Sequence, residues 1–250
     1  MITIFLSLFF VLALNLIAYW WAYKNQSDKL TDITYSVCFI LLSIFLFFYN
    51  GQPGLPELIL TAMVVLWGLR LGGFLLFRIL SIKKDERFDD FRNSKSGFLK
   101  FWLLQAFSIW FLSLPFVIGL TTSEKLLLHV PALILFIAGW LLETISDFQK
   151  YSFKQRYGKN AIVQTGIYRF VRHPNYTGEI MIWLAIFWYV SPVLKGWDWL
   201  SLISPLWLII LLLFISGIPL IEKVNVVKYK DNPEYQKYIK KTKKLIPFLY

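Results

Sequence analysis

Long, uninterrupted apolar runs constrain this chain more than any other feature. Several exceed the roughly 18 residues that read as a membrane-spanning helix. They are continuous rather than alternating, which argues against a transmembrane β-barrel. Of 250 residues, 57% are apolar and only 16% charged, against about 25% charged in a soluble domain. The expected fold is all-α: a polytopic helical bundle of about seven transmembrane helices forming one domain over residues 1–250. The spans fall at 2–22, 33–49, 56–79, 99–119, 126–146, 177–194 and 199–221. The first run lacks a basic region before it and a small-residue cleavage site after it, so it reads as a retained helix rather than a signal peptide.

The formal charge of +11 is unevenly placed. Lys and Arg number two in residues 23–32, five in 80–98, six in 147–176 and eight from 222 onward. The intervening loops hold only Lys125 and Lys195. By the positive-inside rule the N-terminus lies outside and the C-terminus in the cytoplasm, as for a bacterial inner-membrane protein. Segments 80–98, 147–179 and 222–250 are then the cytoplasmic elements. The basic residues flank membrane spans, which favours contact with membrane lipids and gives no support to a nucleic-acid partner. The single cysteine, Cys38, excludes an internal disulfide and a cysteine-rich metal site. The oligomeric state is left open.

The densest polar chemistry is Gly166-Ile-Tyr-Arg-Phe-Val-Arg-His-Pro-Asn-Tyr-Thr-Gly-Glu179. Arg169, Arg172 and His173 precede Pro174, which suits the first turn of a helix. Asn175, Tyr176 and Glu179 follow within one turn, and from Ile180 the chain is apolar. Two arginines beside a helix N-terminus attract an anion, above all a phosphate. Other unusual polar residues lie at the same end of the spans. Arg70 stands about two turns inside the third span, costly unless paired or facing water, and Arg78 is eight residues on. Gly72 and Gly73 between them permit close approach of a neighbour. Residues 80–98, with Asp85 and Arg87, fit an interfacial helix. Glu143 and Asp147, four apart, share a helix face; with no histidine pattern nearby they suggest no metal. Residues 148–176 read as a basic, aromatic loop carrying Lys154 and Tyr168. Pro219 is expected to bend the last span before Glu222. The tail tyrosines Tyr229, Tyr235 and Tyr238 suit a segment that folds back over that loop. Asp32, at the start of the second span, reads as a capping or first-turn acid, or as a carboxylate facing the bundle interior, with Tyr35 close behind.

Polar groups gathered at one end, rather than at the midplane as in a transporter, fit an enzyme joining a charged cytosolic cofactor to an apolar substrate. Arg172-His-Pro-Asn-Tyr-Thr-Gly-Glu179, preceded by Gly166-Ile-Tyr-Arg169, resembles the steroid 5α-reductase superfamily, and within it the bacterial DUF1295 proteins. Three further segments agree: Asp32-Ile-Thr-Tyr35; Trp67-Gly-Leu-Arg70-Leu with Arg78 and Asp85-Glu-Arg87-Phe; and Gly217-Ile-Pro-Leu-Ile-Glu222 with the Pro-Glu-Tyr and Ile-Pro tail. The resemblance implies NADPH-dependent reduction of a carbon–carbon double bond conjugated to a carbonyl. The substrate would be an apolar, steroid-like or isoprenoid lipid. It implies that Asn175 and Glu179 hold the nicotinamide end and that Asp147 contacts the adenosine part. Lys154, Arg169 and Arg172 would meet phosphates, with His173 nearby. Arg78, Asp85, Arg87, Glu143, Tyr168, Tyr176 and Glu222 belong to the same cofactor side. The substrate carbonyl would be gripped from the early helices, by Asp32 or Tyr35, with Arg70 where a tyrosine is expected. Glu143 stands where the family motif has an asparagine.

The Arg-His-Pro element by itself is shared with isoprenylcysteine carboxyl methyltransferases and phospholipid methyltransferases, which use S-adenosylmethionine. The Asn-Tyr-x-Gly-Glu continuation and the agreement of the first 90 residues weigh toward the reductase reading. A non-catalytic lipid-binding membrane protein is the third possibility.

Overall fold

The computed structural model describes residues 2–25, 27, 29–49, 51, 53–81, 95–158 and 160–245, and for residues 29, 32, 78–81 and 95 the backbone alone. It is 84% helical, with no strand among the described residues, so the chain is an all-α membrane helical bundle. The helices follow the apolar runs: α1 (Ile2–Lys24), α2 (Lys29–Tyr49), α3 (Leu55–Ser81), α4 (Lys95–Thr121), α5 (Val130–Tyr157) and α6 (Pro174–Val190). After them come α7 (Ile203–Ile210), α8 (Ile218–Lys228) and α9 (Pro233–Lys241).

Among the described residues, five helical stretches are long and apolar enough to cross a membrane: Ile2–Lys24, Leu55–Phe77, Ser96–Thr121, Val130–Tyr157 and Gly196–Lys228. Ile33–Tyr49, within α2, is a shorter apolar helix. The expected span 177–194 falls on α6, which has 17 residues and runs into a 3₁₀ turn at Ser191–Val193. Large apolar side chains such as Phe5, Phe9, Ile17 and Trp20 of α1 are exposed, a surface suited to hydrocarbon.

The described residues divide into two compact units, Met1–His129 with Ile186–Ser204 and Val130–Ala185 with Pro205–Tyr250. In the first unit, α2 and α3 approach closely because two glycines one turn apart remove the obstacle. A Cβ on Gly68 would meet Ile40 Cγ1 at 2.8 Å, and one on Gly72 would meet Ser36 Cβ at 2.9 Å. Gly73 has open space beside it, so the close approach uses Gly68 and Gly72 rather than the Gly72–Gly73 pair. Aromatic rings fill the space between helices, with Phe39 edge-on to Trp67 at 5.2 Å and tilted against Phe116 at 6.3 Å. A buried polar network ties three helices: Gln105 Nε2 donates to Asn15 Oδ1 (3.1 Å) and to the Thr31 carbonyl (3.2 Å). Asn15 Nδ2 in turn donates to the Val11 carbonyl and lies 3.5 Å from Cys38 Sγ. Polar groups placed in an apolar interior need such partners.

In the second unit, α5 and α6 cross at facing glycines. A Cβ on Gly139 would meet the Gly178 carbonyl oxygen at 2.8 Å, and one on Gly178 would meet the Gly139 carbonyl oxygen at 2.6 Å and the Glu143 nitrogen at 2.7 Å. α5 also runs further than the sequence suggests, through Tyr157. Residues 148–157 are therefore helix, not loop. Lys154 and Arg156 in its last turn complement the negative end of the helix dipole. Gly158, at φ +94, ends it, its N–H bonding back to the Lys154 carbonyl at 3.0 Å in the manner of a left-handed terminating glycine.

The last apolar stretch is broken. A π-helical turn at Leu211–Ile215 gives way at Ser216–Gly217, whose N–H groups both point to the Leu211 carbonyl. Pro219 sits in the first turn of α8, where its missing N–H costs nothing. The break therefore precedes the proline instead of falling at it. α9 is set by Asn232, whose side chain accepts from the Glu234 and Tyr235 amides, with Pro233 following as the first helical residue.

Candidate functional site

The site is built where the Arg-His-Pro segment meets the tail of the second unit. Gly166 opens a 3₁₀ turn, Gly166–Arg169, at φ +60. The Gln149 side chain on α5 accepts from the Ile167 amide at 3.0 Å, and a Cβ on Gly166 would run into that amide side chain. Tyr168 is buried. Its hydroxyl donates to the Ser146 carbonyl at 3.2 Å, fixing the turn to α5. The tail then covers the segment. Arg172 N–H donates to the Lys243 carbonyl (2.8 Å) and His173 N–H to the Lys244 carbonyl (2.9 Å). Thr177 Oγ1 donates to the Leu245 carbonyl (2.8 Å) and the Tyr238 hydroxyl to the Tyr168 carbonyl (2.7 Å).

These contacts make the polar cluster. Glu222 on α8 presents one oxygen, Oε1, to two neighbours: Arg172 Nη1 at 3.1 Å and His173 Nε2 at 3.3 Å. His173 is buried and stacks on Tyr176, ring centres 5.7 Å apart and nearly parallel. Burial holds the His173 imidazole below its usual pKa, and Lys150 and Arg172 push the same way, against the Glu222 contact. We therefore read the contact as a neutral imidazole donating Nε2–H to a carboxylate rather than as an ion pair. Burial likewise pushes the Tyr168 phenol up, helped by the charge of Asp147, and does the same at Tyr238. Both stay protonated donors.

A cavity of about 70 Å³ opens beside the cluster. Lys150 and Lys154 of α5, with Arg172 and Glu222, supply its charged wall, and His173, Tyr229, Tyr235, Tyr238 and Asn225 its hydrogen-bonding wall. With His173 neutral, three cations face one carboxylate. Arg172 Nε is buried and makes no hydrogen bond among the described residues. Such a cavity suits a phosphate-sized anion. It is smaller than the roughly 300 Å³ and upward of a whole small-molecule site. The anion would be met by side chains, since the Arg172 and His173 amides are taken by the tail.

Among the residues the sequence singles out, Lys154, Tyr168, Arg172, His173 and Glu222 come together around this cavity. Tyr176 joins through its stacking on His173. Arg169 points elsewhere, its guanidinium 4.8 Å from the Phe170 ring. Asn175 and Glu179 are half-buried on one face of α6 and do not line the cavity. Glu143 is buried where α5 meets Gly178, and Asp147 lies one turn further along α5. Tyr35 and Arg70 belong to the first unit; Tyr35 lies edge-on to Phe39 and Trp67. The side chains of Asp32 and Arg78, and the whole of Asp85 and Arg87, lie outside the described residues. So does most of segment 80–98. Lys150, Gln149 and Asn225 were not foreseen. Lys150 had one signal: it stands four residues before Lys154 and so shares its helix face.

Among curated proteins and solved structures, nothing matches the chain. A family described as "protein of unknown function (DUF1295)" matches it over residues 18–242. The match runs from within α1 to the end of α9 and takes in the side chains that wall the cavity. The chain is thus a member of the DUF1295 family.

Proposed function

We propose that this protein is a membrane-embedded, NADPH-dependent reductase of a carbon–carbon double bond conjugated to a carbonyl in an apolar, steroid-like or isoprenoid lipid. The observation that carries the reading is the Arg172–His173–Glu222 cluster beside a cavity with net positive charge, in a chain whose bulk is apolar spans. An enzyme that joins a polyanionic cofactor to an oily substrate needs both features. The likeness of Arg172 to Glu179 and its three companion segments to the steroid 5α-reductase superfamily supports the same chemistry. The positive-inside pattern supports a cavity that faces the cytoplasm, in a bacterial inner membrane.

The residues fit the phosphate end of a nucleotide. Lys150, Lys154 and Arg172 supply charge, and the buried Arg172 Nε is a donor in need of an acceptor. Bound NADPH would deliver hydride to the β-carbon of the enone while the α-carbon takes a proton, leaving the saturated carbonyl compound and NADP⁺. Glu222 holds the Arg172 guanidinium and the His173 ring in place from one oxygen. The tyrosine wall and the tail cover one side of the cavity, and partial burial of Arg172 and Glu222 strengthens the charged contact between them.

The test is a panel of enone lipids presented to detergent-solubilised protein with NADPH, reading cofactor oxidation and the saturated product by mass. Turnover of an enone lipid and none of its saturated analogue is expected. Methyl transfer from S-adenosylmethionine to a lipid acceptor, with no NADPH oxidation across the panel, would overturn the reading.

A further inference from the structure

The tail helix α9, which lines the inner cavity with Tyr235 and Tyr238, also forms one wall of a second groove of about 310 Å³. Its other wall is the 3₁₀ turn. Lys237 and Lys241, four residues apart on α9, lie on one helix face and project into this groove, and Arg169 reaches it from the turn. Against these three cations stands a single carboxylate, Glu234, and none of the four is ion-paired among the described residues. Like charges spaced i, i+4 repel, and a third cation brought from a distant element adds to the repulsion. An anion bound between them removes the strain.

The frame holding these cations is fixed. Tyr238, on the same helix, donates its hydroxyl to the Tyr168 carbonyl at 2.7 Å. Thr242 is buried and its amide closes the helix on the Tyr238 carbonyl. Tyr238 lines both the groove and the inner cavity. The two positive regions therefore flank one tyrosine side chain.

We propose that Arg169, Lys237 and Lys241 form a second phosphate site, selective for a phosphate monoester. On the nucleotide reading above, on which this rests, the group it takes is the 2′-phosphate that distinguishes NADPH from NADH. The tail then sets cofactor preference, and the inner cavity takes the phosphate common to both nucleotides.

The experiment titrates full-length protein in zwitterionic detergent with NADPH and with NADH, following tryptophan fluorescence. Wild type is compared with Lys237→Gln/Lys241→Gln and, separately, with Arg169→Gln. All three side chains are exposed, and a melting curve confirms that each variant folds. The ratio of NADPH to NADH affinity should fall about tenfold or more in each variant, the size expected for losing charge-assisted contacts. A ratio equal to wild type, with both nucleotides bound, overturns the proposal and leaves the nucleotide reading standing. Wild type binding neither nucleotide sinks both. A second arm uses vesicles containing phosphatidic acid, whose headgroup is also a phosphate monoester. Vesicle binding that depends on these residues, with an unchanged nucleotide ratio, would assign the groove to lipid and overturn the proposal.

Discussion

Glu222 Oε1 accepts from Arg172 and from His173 at once, so this single oxygen sets the position of both side chains. Glu222→Gln keeps the shape and removes the charge. It should lower stability by about 1.5–3 kcal/mol, the range for a hydrogen bond to a charged group, read as a lower melting temperature in detergent. A melting temperature equal to wild type would mean the cluster holds nothing together. The second residue-scale consequence is a pH dependence. His173 is buried, faces Lys150, Arg172 and Glu222, and has its pKa depressed. In the unfolded chain a histidine titrates near about 6.5. Below that value the unfolded state takes up a proton more readily than the folded one. The His173 contribution is therefore complete above about pH 6.5 and is lost as pH falls through the lower folded value. Wild type should lose more melting temperature than His173→Gln between about pH 7.5 and pH 5.5. Equal losses would show that His173 does not titrate with folding. That Arg172 and His173 sit in a dense polar cluster was legible from their motif. That Glu222 would meet both side chains on one oxygen was not, because 49 residues and a broken helix separate them.

At the scale of elements, contact between α5 and α6 depends on two missing side chains. Gly178→Ala would put a methyl group 2.7 Å from the Glu143 backbone nitrogen and 2.6 Å from the Gly139 carbonyl oxygen. The helices must separate, at a cost of about 1–3 kcal/mol, seen as a lowered melting temperature. Gly73→Ala, with nothing within 4 Å, is the matched control and should be neutral or slightly stabilising. Equal effects at the two glycines would contradict the packing described. Helix identity was legible here because apolar runs of this length have one solution in a bilayer. Helix ends were less so. The extension of α5 to Tyr157 was readable in principle from Lys154, Arg156 and Gly158, but a drop in hydropathy looks the same whether a helix leaves the membrane or stops. The seating of the tail on Val171, Arg172 and His173 depends on backbone carbonyls of residues 243 and 244. Backbone donors and acceptors are the same at every position, so no side-chain pattern announces that pairing.

For the molecule as a whole, composition alone carried the membrane assignment, and the asymmetry of Lys and Arg carried the expected orientation. Function is harder to read at this scale, since one architecture serves many chemistries. Its most informative feature is positive charge gathered at the end of an oily bundle: the basic tail, the Arg-His-Pro turn and the end of α5 converge on one small cavity. The account stands on that cavity gripping the phosphate end of a nucleotide. The most direct measurement is the melting temperature of the purified, detergent-solubilised protein with NADPH or S-adenosylmethionine at saturating concentration. A ligand that binds only the folded state stabilises it by about 2.7 kcal/mol at a hundred times its dissociation constant. NADPH should raise the melting temperature of wild type, S-adenosylmethionine should not, and Arg172→Ala should abolish the NADPH shift. A rise with S-adenosylmethionine alone, or an NADPH shift undiminished in Arg172→Ala, would contradict the account.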